Sequence, residues 1–248
     1  MSKKTRLDDI ITILKKNGYV TVKYLTEELH YSTATINRDL NLLENQKIVK
    51  RSYGGVELRE HKSTPLVFRY HKMKLAKNKI GKKAAEFICD GDTVFIDGST
   101  TAQYIGQYIT NKKELTVISN NMALLTYLSE YNIKCICLGG QIVEIPSMLG
   151  GMETVENARK YNADKMFFST SAISAEGKIG STETYYTMHK AMAENSSKIF
   201  YLADKGKIDA KAPLVLFDLS GVNSVISDFN FPEKTKKSFP DTEFLTCF

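Results

Sequence analysis

From position 93 onward the chain repeats one pattern, a short apolar run followed by a helix-compatible stretch. The runs are "TVFID", "LTVISN", "IKCICLGG", "KMFFSTSA", "KIFYLAD", "PLVLFDL" and "VISD". Between them lie "TAQYIGQYI", "MALLTYLSE" and a helix expected from about Thr184 to Asn195. A strand with one wet face alternates apolar and polar side chains. Near-continuous apolar runs instead indicate strands covered on both faces, as in sheets whose parallel strands are joined by helices. The pattern predicts an α/β domain with a mainly parallel sheet over residues 84–248. In such sheets ligands bind outside the carboxyl ends of the strands, so the loops there are where chemistry is expected.

The first of those loops, in "IDGSTTAQYI", holds Asp97, Gly98, Ser99, Thr100 and Thr101 between a strand and a helix. One glycine for close approach, three hydroxyls and the unpaired N–H groups of a helix start suit a small phosphate. The loop lacks both the G-x-x-x-x-G-K of a Walker loop and the G-x-G-x-x-G of a dinucleotide turn. Ser119, Asn120 and Asn121 offer donors and acceptors for a polyol, Gly139 and Gly140 let backbone come close, and "ADKGK" sets Asp204 and Lys207 beyond another strand. A lysine there supplies countercharge to a phosphate. Each group also has a plain structural use as cap, turn or solvated lysine; together they form a polar ring in the expected place.

The amino-terminal third follows different rules. Leu7, Ile10, Ile11 and Leu14 recur at helical spacing and Asn17-Gly18 stops that helix. Val22, Leu25 and Leu29 mark a second helix with Thr21 as N-cap. In the third, capped by Ser32, the apolar Ile36, Leu40 and Leu43 fall within roughly 60° on a helix of about 100° per residue. Ala34, Arg38 and Asn41 then face the other way, with Thr35 and Asn37 on the shoulders and Ser32 and Thr33 at the start. That surface suits a major groove: Arg forks onto guanine, Asn onto adenine, and small methyl-bearing residues meet thymine methyls. "KIVKRSYGGVEL" reads as a hairpin around Gly54-Gly55, with Lys50, Arg51, Tyr53 and Gly54 laid along a phosphate backbone. Residues 1–60 are therefore expected to be a winged helix-turn-helix.

Charge agrees. Residues 1–83 hold 19 basic against 8 acidic residues, while the remaining 165 hold 15 against 20. Residues 61–83 alone carry eight basic residues and no acid, and read as a basic, helical connector. A basic front on an acidic body points to a polyanion partner at the amino end, double-stranded DNA being the one that fits the helix. No run reaches a membrane span and the first residues carry lysines and acids where a signal peptide needs an apolar block, so a cytoplasmic protein is expected. Cys89, Cys135, Cys137 and Cys247 have no C-x-x-C spacing and His30, His61, His71 and His189 no helical pairing. Reduced, structural cysteines and neither metal nor cofactor are expected.

Two sets of motifs resemble one family. "YSTATINRDLNLLENQKIVKRSYGG" is similar to the amino-terminal signature of DeoR family bacterial transcription regulators, through Thr35, Ile36, Arg38, Asp39, Leu40, Leu43, Glu44, Gly54 and Gly55. Asn37 stands where the family has the first of two arginines, Gln46-Lys47 replaces a glycine turn, and Tyr53 replaces the wing histidine. The larger part resembles the family's sensor domain, itself similar in fold to ribose-5-phosphate isomerase, through Asp97 and Ser99–Thr101, Ser119–Asn121, Gly139-Gly140, Asp164, and Asp204 with Lys207. Ser169 to Ser171 and Gly206 depart from its pattern.

The resemblance implies a homo-oligomeric repressor of sugar metabolism genes whose sensor domain binds a phosphorylated sugar that alters DNA binding. The other reading, a sugar-phosphate isomerase with an appended DNA-binding domain, needs a carboxylate base, for which Asp97, Asp164 and Glu183 are the candidates. Asp164 and Glu183 are expected to contact effector in either case. The isomerases' K-G-G-G-G and D-G-A-D stretches have no counterpart here. An RNA or protein adaptor is disfavoured by the lack of an aromatic platform at the basic end.

Overall fold

The computed structural model describes residues 3–45, 48–52, 55–58, 73–144 and 148–247. They form two compact units, divided between positions 68 and 69.

The smaller unit contains α1 (Lys3–Asn17), β1 (Val20–Thr21), α2 (Val22–Leu29), α3 (Thr33–Asn45), β2 (Val49–Ser52) and β3 (Gly55–Leu58). Gly18 at φ +70° ends α1, its N–H returning to Leu14 O at 2.9 Å, because only a residue without Cβ adopts that conformation freely. The Thr21 hydroxyl accepts from Tyr24 N at 3.1 Å and the Ser32 hydroxyl from Thr35 N at 3.3 Å, so both expected caps are made. Ile10, Leu14, Leu25, Ile36, Leu40, Leu43, Ile48, Val49 and Val56 close the core. The expected hairpin is present, Ser52 facing Gly55 across it. Strand β1, which the sequence pattern did not reveal, adds to β3 as Val20 opposite Val56. Gly55 permits this: a Cβ there would stand 2.7 Å from Val20 O.

The larger unit begins with α4 (Lys74–Ala85), then β4 (Thr93–Ile96), a 3₁₀ helix (Ala102–Tyr108), β5 (Thr116–Ser119), α5 (Met122–Ser129), β6 (Lys134–Cys137), β7 (Gln141–Glu144) and β8 (Met148–Gly150). It continues through α6 (Met152–Ala158), β9 (Ala163–Phe168), β10 (Ala172–Ile173), β11 (Lys178–Ser181), α7 (Glu183–Glu194), β12 (Ser196–Ala203), β13 (Leu214–Asp218), β14 (Ser224–Ser227), α8 (Glu233–Ser238) and β15 (Glu243–Thr246). Seven strands form one sheet in the order β15-β14-β12-β9-β4-β5-β6, every pairing parallel. Both faces are covered, as the apolar runs required. Phe95, Ile118, Met166, Phe168 and Tyr201 pack with α6 and α7 on one side, and Val94, Ile96, Val117, Phe167 and Leu202 pack with α4, the 3₁₀ helix and α5 on the other.

Some expectations change. "PLVLFDL" forms β13 in a separate antiparallel sheet, β10-β11-β13, and the seventh strand of the main sheet is β15. Apolar content marks β13 as a strand but does not say which sheet it joins. The connector helix packs Ile80, Ala84 and Ala85 into the larger core, so the larger unit starts before residue 84. Cys135 is half-buried on β6, whereas Cys137 and Cys89 are exposed. The thiols of Cys135 and Cys247 are pushed up by burial.

Candidate functional site

In the smaller unit, α3 presents Ser32, Thr33, Ala34, Arg38 and Asn41 to solvent, with Thr35 and Asn37 half-buried, as the helical spacing predicts. Behind this face Asp39 is fully buried and paired with the buried Arg6, whose guanidinium lies 4.6 Å from the centre of the Tyr31 ring. The buried pair joins α1 to α3. The wing departs from expectation at one residue. Arg51 turns onto α3, its Nη1 donating to Asn41 Oδ1 and its Nη2 to Asn37 Oδ1, both at 2.6 Å, and does not stand clear for a phosphate. Lys50 is exposed, 3.9 Å from the Glu57 carboxylate opposite it. Tyr53 and Gly54 lie outside the described residues.

In the larger unit, the chain steps from β4 to β5 and β6 in one direction, then returns to place β9 on the other side of β4. The order reverses between β4 and β9, which is where an open α/β sheet forms a crevice at its strand tips. Asp97 follows β4 and Ser169 follows β9 at that point. Asp97 Oδ1 accepts from Ser99 Oγ at 2.6 Å and Ser99 N at 3.2 Å, while Oδ2 lies 3.0 Å from His189 Nε2 and accepts from Ser169 N. Ser99 Oγ in turn caps the 3₁₀ helix through Ala102 N at 3.1 Å. Asp97 is thus the hub that shapes the turn, with neither oxygen free to serve as an isomerase base.

Two ammonium groups converge on the turn. Lys77 Nζ donates to Thr100 Oγ1 at 2.9 Å, and Lys207 Nζ to Thr101 Oγ1 at 3.0 Å and to Ser169 Oγ. Asp204 sits 3.8 Å from Lys207 and caps the short turn that carries it through Gly206 N at 3.1 Å. Thr100 and Thr101 are 4% and 0% exposed and Lys77 is 3% exposed, so these charges act away from bulk water.

The remaining expected residues divide. Ser119 Oγ ties β5 to β4 through Ile96 O, and Asn121 Oδ1 caps α5 through Leu124 N. Asn120 Nδ2 donates to Leu149 O at 2.8 Å, but its Oδ1 is buried without a partner among the described residues. Gly139 accepts from Thr154 Oγ1 at 2.7 Å, and a Cβ on Gly140 would meet that oxygen at 2.2 Å, so this pair serves packing of α6. Gly98 is approached by the Met148 side chain, to which its Cβ would come within 2.7 Å.

Two carboxylates of the expected set stand apart from these hydrogen bonds. Asp164 stands at the start of β9 and accepts from Thr93 N at 2.8 Å, which puts it at the opposite end of the strands from the cluster. Glu183 is exposed in the first turn of α7, about 9 Å along the axis from His189 at about 1.5 Å rise per residue.

Three residues of the cluster were missed. Lys77 was hidden in the basic run read as a connector, Ser169 is a departure from the family pattern, and His189 is a lone histidine in a helical stretch. His189 is 2% exposed and its Nδ1 has no hydrogen-bond partner among the described residues. No group of His, Cys, Asp and Glu among the described residues could hold a metal ion, and no helix there is long and apolar enough to cross a membrane.

A winged helix-turn-helix unit joined to an α/β unit with a charged cluster at its switch point defines a ligand-responsive transcription regulator. Residues 6–62 match the DeoR-like helix-turn-helix domain and residues 72–229 the DeoR C terminal sensor domain; the chain belongs to the DeoR family. It is 28% identical over 92% of both chains to the Glycerol-3-phosphate regulon repressor of Escherichia coli K12. To the HTH-type transcriptional repressor GlcR of Bacillus subtilis it is 30% identical, over 92% of this chain and 89% of that one. To the Lactose phosphotransferase system repressor of Streptococcus mutans it is 29% identical, over 99% of this chain and all of that one. Likeness to solved structures is loose: a ribose 5-phosphate isomerase from Plasmodium falciparum matches 55% of this chain and 53% of that one at 16% identity and a TM-score of 0.41. The protein is a DNA-binding regulator and not an enzyme.

Proposed function

We propose that the chain is a cytoplasmic repressor of genes for sugar or polyol use, that α3 reads operator DNA, and that a phosphorylated sugar held at the switch point weakens DNA binding. The observation that carries the sensor half is the convergence of Lys77 and Lys207 on adjacent threonine hydroxyls. Asn120 Oδ1 beyond β5 and Nδ1 of the His189 ring that meets Asp97 through Nε2 are buried without a hydrogen-bond partner among the described residues. These atoms fit hydroxyl groups, while two lysines converging on one hydroxyl-lined turn fit an anion. A polyol phosphate carries both.

For the reading half, the exposed Arg38 and the short polar surface of α3 support major-groove contact. One such unit reads few base pairs, so a homo-oligomer on paired half-sites is expected. The ligand's leverage is its differential affinity for the oligomer's two arrangements, typically about 1 to 3 kcal/mol.

The test is a thermal-shift screen against sugar and polyol phosphates, where a ligand at a hundred times its Kd adds about 2.7 kcal/mol. Thr100→Val with Thr101→Val, or Lys77→Met, should abolish the shift produced by the best ligand while leaving DNA binding intact. A shift retained in both variants would place the ligand elsewhere, and measurable isomerase turnover would overturn the regulator reading.

A further inference from the structure

Arg51 makes a contact that the expected wing-to-phosphate role does not use. Its guanidinium forks across two amides one helical turn apart on the outward side of α3, 2.6 Å from each oxygen. The strand holds it there: Arg51 lies opposite Val56 in the hairpin, and its own N–H donates to Glu44 Oε1 of α3 at 3.3 Å.

A guanidinium carries donors only, so any amide bonded to it must turn its oxygen inward. That choice has a consequence for DNA. An unconstrained asparagine reads adenine by offering the oxygen to N6 and the nitrogen to N7 together. In Asn37 and Asn41 the oxygen accepts a charge-assisted bond that turns it toward Arg51 and leaves Nδ2 as the group turned away from it. Held in that orientation, both side chains offer a donor more readily than the paired donor and acceptor that adenine needs.

From this contact we infer that Arg51 is a positioning residue that sets base preference: it fixes Asn37 and Asn41 so that α3 favours base edges made of acceptors, guanine N7 and O6 foremost, over adenine. This rests on α3 being the reading helix. It also gives a physical role to the asparagine at position 37, where the resembling family has arginine, because the positive group now comes from the hairpin and shares its charge between two amides.

The experiment selects binders from a random duplex library with the full chain, Arg51→Lys, Arg51→Met and Arg38→Ala, and measures the salt dependence of each on its best sequence. Lysine keeps the charge but cannot fork to both amides, so it separates geometry from charge. The expected result is that Arg51→Lys and Arg51→Met both move preference toward adenine at the base pairs facing α3, by roughly 5- to 150-fold, with the salt slope unchanged. Uniform weakening across sequences, with the slope reduced by about 0.9 in Arg51→Met, would make Arg51 a phosphate contact and overturn the inference. A changed profile in Arg38→Ala beside an unchanged one in both Arg51 variants overturns it while leaving α3 as reader. Unchanged profiles in all three variants remove α3 from the reading role and the inference with it.

Discussion

Replacing Asp39 by alanine leaves Arg6 buried without its carboxylate. The Arg6 and Asp39 side chains are 8% and 0% exposed, so the guanidinium has little water to fall back on. Breaking a buried pair by removing one partner costs about 3 to 5 kcal/mol. The Tyr31 ring over the guanidinium remains and offsets a fraction of this. We therefore expect a loss of about 3 kcal/mol, against a total of roughly 3 to 10 kcal/mol for a unit of this size. Hydrogen exchange of the full chain localises the effect: amides of α1 and α3 should lose roughly a hundredfold in protection while those of β4, β9 and β12 keep theirs. Asp39 Oδ1 has no partner among the described residues, so the pair is imperfectly satisfied, and the double change Arg6→Met with Asp39→Leu should recover most of the loss. Protection in Asp39→Ala within a few-fold of the parent would show that water reaches Arg6. A double variant as damaged as the single would show that lost shape, not an uncompensated charge, carried the cost.

Two further outcomes follow from burial and backbone geometry. Because exposure favours attack and a raised thiol pKa lowers the thiolate fraction at a given pH, brief iodoacetamide treatment near neutral pH should label Cys89 and Cys137 well before Cys135 and Cys247, read by peptide mass spectrometry. Gly140→Ala should destabilise the larger unit by about 1 to 3 kcal/mol in urea unfolding, since its φ of +103° and a Cβ 2.6 Å from Gly150 O both resist a side chain.

The sheet was legible because a strand buried on both faces must be apolar throughout, and β4, β5, β9, β12 and β14 each announce themselves that way. The outward face of α3 was legible for a related reason, since Ile36, Leu40 and Leu43 fix the inward direction and Ala34, Arg38 and Asn41 can only point away. What periodicity cannot supply is a partner. Strand β1 is two residues long and carries no pattern. Arg51 looks like any basic residue of a hairpin until its distances to Asn37 and Asn41 are known. Asp164 illustrates the converse: a carboxylate carried over from a motif joins the strand end nearest to it, and only the direction of β9 shows that this end lies away from the cluster. His189 is marked by no neighbour in sequence, because its partner Asp97 comes from a strand far earlier in the chain.

The basic front of the chain divides between two units. Read as a string, residues 1–83 form one electropositive block, and one polyanion partner accounts for it. In the structure the described end of the lysine-rich run is α4, part of the larger unit, with Lys77 buried against Thr100 and Lys83 paired to Glu86 at 2.6 Å. On the proposed reading Lys77 serves the small anion site and not a DNA footprint, since a side chain 3% exposed cannot release a counterion to a phosphate backbone. The salt dependence of operator binding separates the two uses: Lys77→Met should leave its slope unchanged, whereas each wing or α3 cation that truly touches phosphate should lower it by about 0.9 when removed. A reduced slope in Lys77→Met would return the whole basic block to DNA and leave the switch-point cluster without its anion.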